Sequence, residues 1–235
     1  MAPNASAGTA CQPRWLCQRI DMAAGPDAGP VDGCVLSAAE LAAAARLLRP
    51  GHAQDYLASH RALRHWLAEG TGIAPAQLRF SYNEHGKPQA DPPHYSFSFS
   101  HSGGYWAGAL ASPAQQAGID IEQIVRFDRI TPAMLAYMLS AQERVRWHTA
   151  PPPCPASALA LLWTRKEALL KAIGCGLRRA MHQVCVGWEC GPAPVPVRSA
   201  DLAGQPALWM VRELDGLPAG LAGALAWRLA PGQRA

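Results

Sequence analysis

Apolar residues along the chain change their spacing from segment to segment, and those changes predict helices alternating with short strands. Ser37 with Glu40 three residues on makes a capping-box pattern, and Leu41, Ala44, Ala45 and Leu48 then recur at helical spacing until Pro50 stops them. A second helix is predicted from about Gln54 to Glu69, with Tyr56, Leu57, His60, Leu63, Trp66 and Leu67 as its apolar stripe and Gly70 as its end. The period drops to two in Tyr95–Phe99, where aromatics alternate strictly with serines as in a half-buried strand. Pro13–Ile20, Leu78–Tyr82, Tyr105–Ala111 and Ala117–Glu122 read as further strands. Thr131-Pro132 opens a helix with a cap and an N1 proline, Ser140–Trp147 offers a short one, and Ser157–Ile173 is the strongest, closed by Gly174. Gln183–Trp188, Ala207–Glu213 and Leu221–Leu229 follow as strands, so the fold class is α+β, with no tandem repeat. Residues 1–12 read as a flexible tail, and Ala23–Gly33 and Pro151–Pro155 as loops.

Composition narrows the function classes. With 49% hydrophobic and 16% charged residues over 235 positions, the chain has the apolar material for a core, which excludes disorder for most of it. No apolar stretch approaches the roughly 20 residues of a membrane span, and Met1–Thr9 has no apolar signal region, so a soluble cytoplasmic protein is expected. Seven cysteines form an odd set without C-x-x-C, against both a disulfide framework and a structural zinc. A formal charge of +4 is too small to point to nucleic acid, and no nucleic-acid motif accompanies it. The 21 basic residues include only three lysines, Lys87, Lys166 and Lys171.

Four groups of residues could carry chemistry. Asp120 and Glu122 stand at i and i+2 on a strand, so both carboxylates point the same way and can reach one hard cation, or simply form the strand's wet face. Trp163, Glu167 and Lys171 share one side of the strongest helix, placing a carboxylate beside an ammonium, which also describes an ordinary surface pair. Phe97-Ser98-Phe99-Ser100-His101-Ser102-Gly103-Gly104 presents hydroxyls, an imidazole and glycine amides that could surround a phosphate or form a polar turn. A serine-hydrolase reading of the Ser-His-Ser run fails because adjacent strand residues point to opposite sides. Arg46, Arg49, His60, Arg61 and Arg64 on the first two helices make either a solvated face or an anion cradle.

Taken in order, Gly86-Lys87-Pro88, Phe99-Ser100-His101-Ser102, Gly118-Ile119-Asp120-Ile121-Glu122 and Trp163-Thr164-Arg165-Lys166-Glu167-Ala168-Leu169-Leu170-Lys171, with Gly174 and Gly176 after them, resemble the signature of Sfp-type 4′-phosphopantetheinyl transferases. The resemblance runs from about Leu36 to Trp188. It implies two similar α/β lobes related by a pseudo-twofold axis, here residues 13–113 and 114–235, with the active site in the cleft between them. It implies transfer of the phosphopantetheinyl arm of coenzyme A to a serine of an acyl or peptidyl carrier protein, by a monomer. By the same resemblance, Asp120, Glu122 and Glu167 would hold Mg²⁺, Lys171 would stabilise the leaving group, and Glu167 would accept the serine proton. His101, Ser100 and Lys87 would contact phosphate, and Arg46, Arg49 and Arg61 the 3′-phosphate. Another Mg²⁺-dependent phosphate-transfer enzyme or a hydrolase using these carboxylates is the alternative; a nucleic-acid-binding module fits poorly.

Overall fold

A computed structural model describes residues 12–20, 35–176, 179–187 and 193–229. Most of the tail predicted at 1–12, the loop at Ala23–Gly33 and the closing residues 231–235 lie outside them. The elements in order are β1 (Arg14–Arg19), α1 (Ala38–Ala45), α2 (Pro50–Thr71), β2 (Phe80–Tyr82), β3 (Pro88–Ala90), β4 (Ser96–Ser102) and β5 (Tyr105–Ala111). Then come β6 (Gly118–Gln123), α3 (Pro132–Met138), α4 (Ala141–Thr149), α5 (Pro155–Ile173), β7 (Val195–Ala200), β8 (Pro206–Glu213) and β9 (Leu221–Arg228). The α+β expectation holds: antiparallel sheets ordered β1-β5-β4 and β6-β9-β8-β7, plus the β2–β3 pair, carry the strands.

Three apolar clusters stack these parts. Leu63, Trp66 and Leu67 of α2 pack with Phe97 and Trp106 of the first sheet. Leu162, Leu169 and Ile173 of α5 pack with Trp209, Ala224 and Ala226 of the second. Between the sheets, small and branched residues such as Ala107, Ala109, Ile119, Ile121 and Leu225 form the middle layer. Each long helix thus covers the outer face of one sheet, and the inner faces meet each other.

Local chemistry explains where helices begin and end. The Ser37–Glu40 capping box is formed, and Glu40 also takes the Arg64 guanidinium at 2.8 Å, a pair that is 2% exposed on both sides. Pro50 does not stop the first helix; it starts α2, because a proline at the first helical position lacks only an N–H that would have no intrahelical partner. α2 runs through Gly70 and ends at Gly72, which takes φ 74°. Gly70 instead permits close approach to the sheet: a Cβ there would lie 2.4 Å from Leu110 Cδ2. Pro155, expected in a loop, likewise opens α5.

The strand expected at Gln183–Trp188 is not formed. Met181–Gln183 make a 3₁₀ turn, 184–187 have no ladder, and Trp188 lies outside the described residues. The amides of Val186 and Gly187 donate to Glu143 Oε1, so a side chain takes the place of a neighbouring strand. β3 and β7, short and proline-bearing, gave no periodic signal.

Candidate active site

Both outer layers deliver residues to one cavity of about 390 Å³, whose walls include Lys87, Glu167 and Lys171 on one side and Tyr56, His60 and Phe99 on the other. Glu167 and Lys171 sit one turn apart on α5, as their spacing predicts. Lys87 arrives on the turn before β3. Asn83 shapes that turn: its Oδ1 accepts the amides of His85 and Lys87, while its Nδ2 donates to Gly174 O at the end of α5. The Lys87 ammonium donates to Ala172 O at 3.0 Å and Ala117 O at 3.3 Å, and burial pulls its pKa down to about 8.

β6 carries Asp120 and Glu122, and a glycine lets it reach the helix. A Cβ on Gly118 would stand 2.0 Å from Ala168 O and 2.4 Å from Ala172 N, both backbone atoms of α5. Only glycine fits that crossing. Asp120, 4% exposed, uses Oδ1 twice, accepting from Lys171 Nζ at 2.7 Å and from the Ser100 hydroxyl at 2.7 Å. Its Oδ2 is buried with no hydrogen-bond partner, and so is Glu167 Oε1.

Electrostatics give the reason these atoms matter. Burial, then the Asp120 and Glu122 charges, push the Glu167 carboxyl up to about 7 despite Lys171. Burial raises Asp120 as well, against Lys171 and Ser100. Neighbouring carboxylates with unpartnered oxygens are a donor set that a cation would satisfy. Glu122 is engaged elsewhere, accepting from Ser102 at 2.8 Å and from Arg126. Among the described residues no group of three His, Cys, Asp or Glu side chains is arranged to hold an ion. The expected trio is therefore present as electrostatic neighbours, with Asp120 and Glu167 offering oxygens and Glu122 turned to Arg126.

The remaining candidates divide. Ser100 does not line the cavity: it is 7% exposed, its hydroxyl donates to Asp120 and it accepts the Ile121 amide. The serine side of β4 lies against β6. His101 stays open to solvent beside Phe99, its pKa lowered by partial burial and by the Lys171 ammonium. Gly103 and Gly104 take φ 61° and 76° and form the β4–β5 hairpin turn, so their conformation serves the turn. Arg46 and Arg49 are exposed at the α1–α2 junction and Arg61 is half-buried on α2; none of the three lines the cavity. Burial raises the Tyr56 phenol, and the Arg46 charge opposes that shift slightly. Lys166 is completely buried and donates to Glu143, away from the cavity.

Residues 116–222, the stretch holding β6 and α5, match the 4′-phosphopantetheinyl transferase superfamily. That match takes in just under half of the chain. The chain is 31% identical over 153 residues to a putative 4′-phosphopantetheinyl transferase of Synechocystis, an alignment covering 64% of this chain and 61% of that one. The chain thus spans about three-fifths of that relative's length. It is 29% identical over 183 residues to the 4′-phosphopantetheinyl transferase HetI of Nostoc, covering 76% of this chain and 73% of the relative. Among solved structures, a holo-ACP-synthase from Plasmodium yoelii aligns at TM-score 0.34 and 16% identity, over 50% of this chain and 95% of that one.

Asn83 and Arg126 belong to none of the four candidate groups, yet they shape the Lys87 turn and engage Glu122. Asn83 carried a usable signal in its place before His85-Gly86-Lys87-Pro88, a turn-rich run in which Asn binds its own backbone.

Proposed function

We propose that the protein transfers the 4′-phosphopantetheinyl group from coenzyme A to a serine of an acyl or peptidyl carrier protein, releasing adenosine 3′,5′-bisphosphate. One observation carries this beyond the family match: Asp120 Oδ2 and Glu167 Oε1 are buried without partners, and the cavity that Glu167 lines also holds Lys87 and Lys171. That set suits a divalent cation together with a diphosphate.

Asp120 and Glu167 would hold Mg²⁺ through these oxygens, with Glu122 joining them on release from Arg126. When bound, the ion supplies charge neutralisation for the bisphosphate leaving group. Lys171 already uses its donors on Phe99 O, Ile119 O and Asp120 Oδ1, so its first task is to hold the Asp120 carboxylate in place. It reaches a phosphate oxygen by exchanging one of the two carbonyl contacts. Glu167 accepts the proton of the incoming serine hydroxyl through its other carboxylate oxygen, Oε2. Lys87 adds a second ammonium, which a neighbouring phosphate would keep charged. His101, open to solvent, contacts a phosphate of the adenosine part, with Ser100 behind it on Asp120, and Arg46, Arg49 and Arg61 supply positive charge on the α1–α2 side for the 3′-phosphate.

The carrier's serine loop meets a mildly basic protein, in keeping with an acidic partner. Among the described residues no helix is long and apolar enough to cross a membrane. In this reading the chain works as a cytoplasmic monomer.

The test is incubation with coenzyme A, Mg²⁺ and an apo carrier protein, read by mass spectrometry. Addition of the phosphopantetheine mass to one serine is expected; coenzyme A cleavage with an unmodified carrier would replace the transferase by a hydrolase. His101→Ala should raise the Michaelis constant for coenzyme A, and an unchanged constant counts against its phosphate contact.

A further inference from the structure

β4 and β6 lie side by side with the same direction, yet they belong to different sheets and share no backbone ladder. Side chains take the ladder's place. The amides of Ala117, Ile119, Ile121 and Gln123 donate to the hydroxyls of Ser96, Ser98, Ser100 and Ser102 at 3.0, 3.0, 3.4 and 3.2 Å, each pair 21 residues apart. On the same edge of β6, Ala117 O accepts from Lys87 at 3.3 Å and Ile119 O from Lys171 at 3.2 Å.

A carbonyl receiving an amide has no proton to give; a hydroxyl has one. Ser100 gives its proton to Asp120 Oδ1 at 2.7 Å and Ser102 gives its own to Glu122 Oε2 at 2.8 Å. Each of these serines therefore holds a β6 amide and the carboxylate of the residue before it. A one-residue slip of β6 would swap Asp120 and Glu122 with Ile119 and Ile121, which the middle core buries completely.

We propose that the β4 serines are positioning residues: the row sets the register of β6, and Ser100 and Ser102 aim Asp120 and Glu122 for cation binding. This rests on the proposed activity but is measurable without it. The probe is Mn²⁺, titrated by electron paramagnetic resonance against the full chain without coenzyme A, for wild type, Ser102→Ala, Ser102→Thr and Ser96→Ala.

Ser102→Ala should weaken Mn²⁺ binding about 10-fold and raise the Mg²⁺ needed for half-maximal transfer by a similar factor, as expected for loss of an outer hydrogen bond to a ligand. The Michaelis constant for coenzyme A at saturating Mg²⁺ should not move. Ser102→Thr keeps the hydroxyl and should restore binding to within about twofold, a margin small against the 10-fold loss. Ser96→Ala, at the far end of the row, should speed hydrogen exchange at the Ala117 amide and leave Mn²⁺ binding unchanged. Wild-type Mn²⁺ affinity in Ser102→Ala, or no recovery in Ser102→Thr, overturns the proposal. So does rapid exchange of the Ile121 and Gln123 amides in wild type, a reading available even where a variant does not fold. A wild type that binds Mn²⁺ with the expected serine dependence but transfers nothing overturns the activity and leaves the positioning role standing.

Discussion

Helix α5 carries two ammonium groups five residues apart, Lys166 buried and Lys171 part-buried, each giving bonds to two backbone carbonyls and one carboxylate. Lys166 donates to Met138 O, Met181 O and Glu143. Lys171 donates to Phe99 O, Ile119 O and Asp120. The lists are alike and the outcomes opposite. Around Lys166 everything is satisfied: Glu143 also accepts the amides of Ser140, Val186 and Gly187, and these bonds with the Lys166 charge hold its pKa below the ordinary carboxylate range despite burial. Around Lys171, Asp120 keeps one oxygen without a partner, and burial drives its pKa up. A buried pair whose hydrogen bonds are complete joins elements together. One left incomplete holds charge ready for something absent from the protein's own atoms.

The largest expected effect tests the complete pair. Lys166→Ala strands Glu143 and should remove about 3–5 kcal/mol of stability, measured by urea unfolding; a loss below about 1 kcal/mol would mean the pair is not a structural joint. Next comes the crossing that brings the second pair together. Gly118→Ala forces a Cβ against the backbone of α5 and should lose about 1–3 kcal/mol, also by urea. Lys171→Ala should separate the two hubs: a smaller stability loss of about 1–2 kcal/mol, with transfer falling roughly 100-fold in a carrier-modification assay. Equal stability losses in the two lysine variants would erase the distinction.

Glu167→Gln sharpens it through pH. Its carboxyl titrates at about 7 in the fold against an ordinary value of 4.5. Between those values the unfolded chain is ionised while the folded one keeps its proton, so stability falls as pH rises through that window and is unaffected below it. The Gln variant escapes the penalty: without Mg²⁺ it should melt a few degrees above wild type at pH 8 and level with it at pH 4, while losing transfer. The smallest effect is ligand linkage. Mg²⁺ at about ten times its dissociation constant should add roughly 1.4 kcal/mol to wild type and nothing to Glu167→Gln, by thermal melting.

Much of the fold was legible because its signals are local. Capping boxes at Ser37 and Ser140, the N1 proline after Thr131, the αL glycine at 174 and the alternation in β4 and β6 each act within a few residues. The errors arose where a distant partner decided the matter. Val184 and Val186 look like strand residues, but Glu143 claims the adjoining amides. The serines of β4 read as possible phosphate contacts, but β6 lies against them and its amides take their oxygens.

The chain's residue order alone settled that α5 would show Glu167 and Lys171 on one side and that β6 would show Asp120 and Glu122 together, since helical and strand periods are properties of the backbone. Which lysine would be glue and which would belong to the cavity, whether Ser100 would meet a ligand or a neighbouring carboxylate, and that Glu122 would turn to Arg126, depended on packing between the two sheets. Burial and hydrogen-bond completion depend on what lies opposite a side chain in space, and periodicity along the chain carries no record of that.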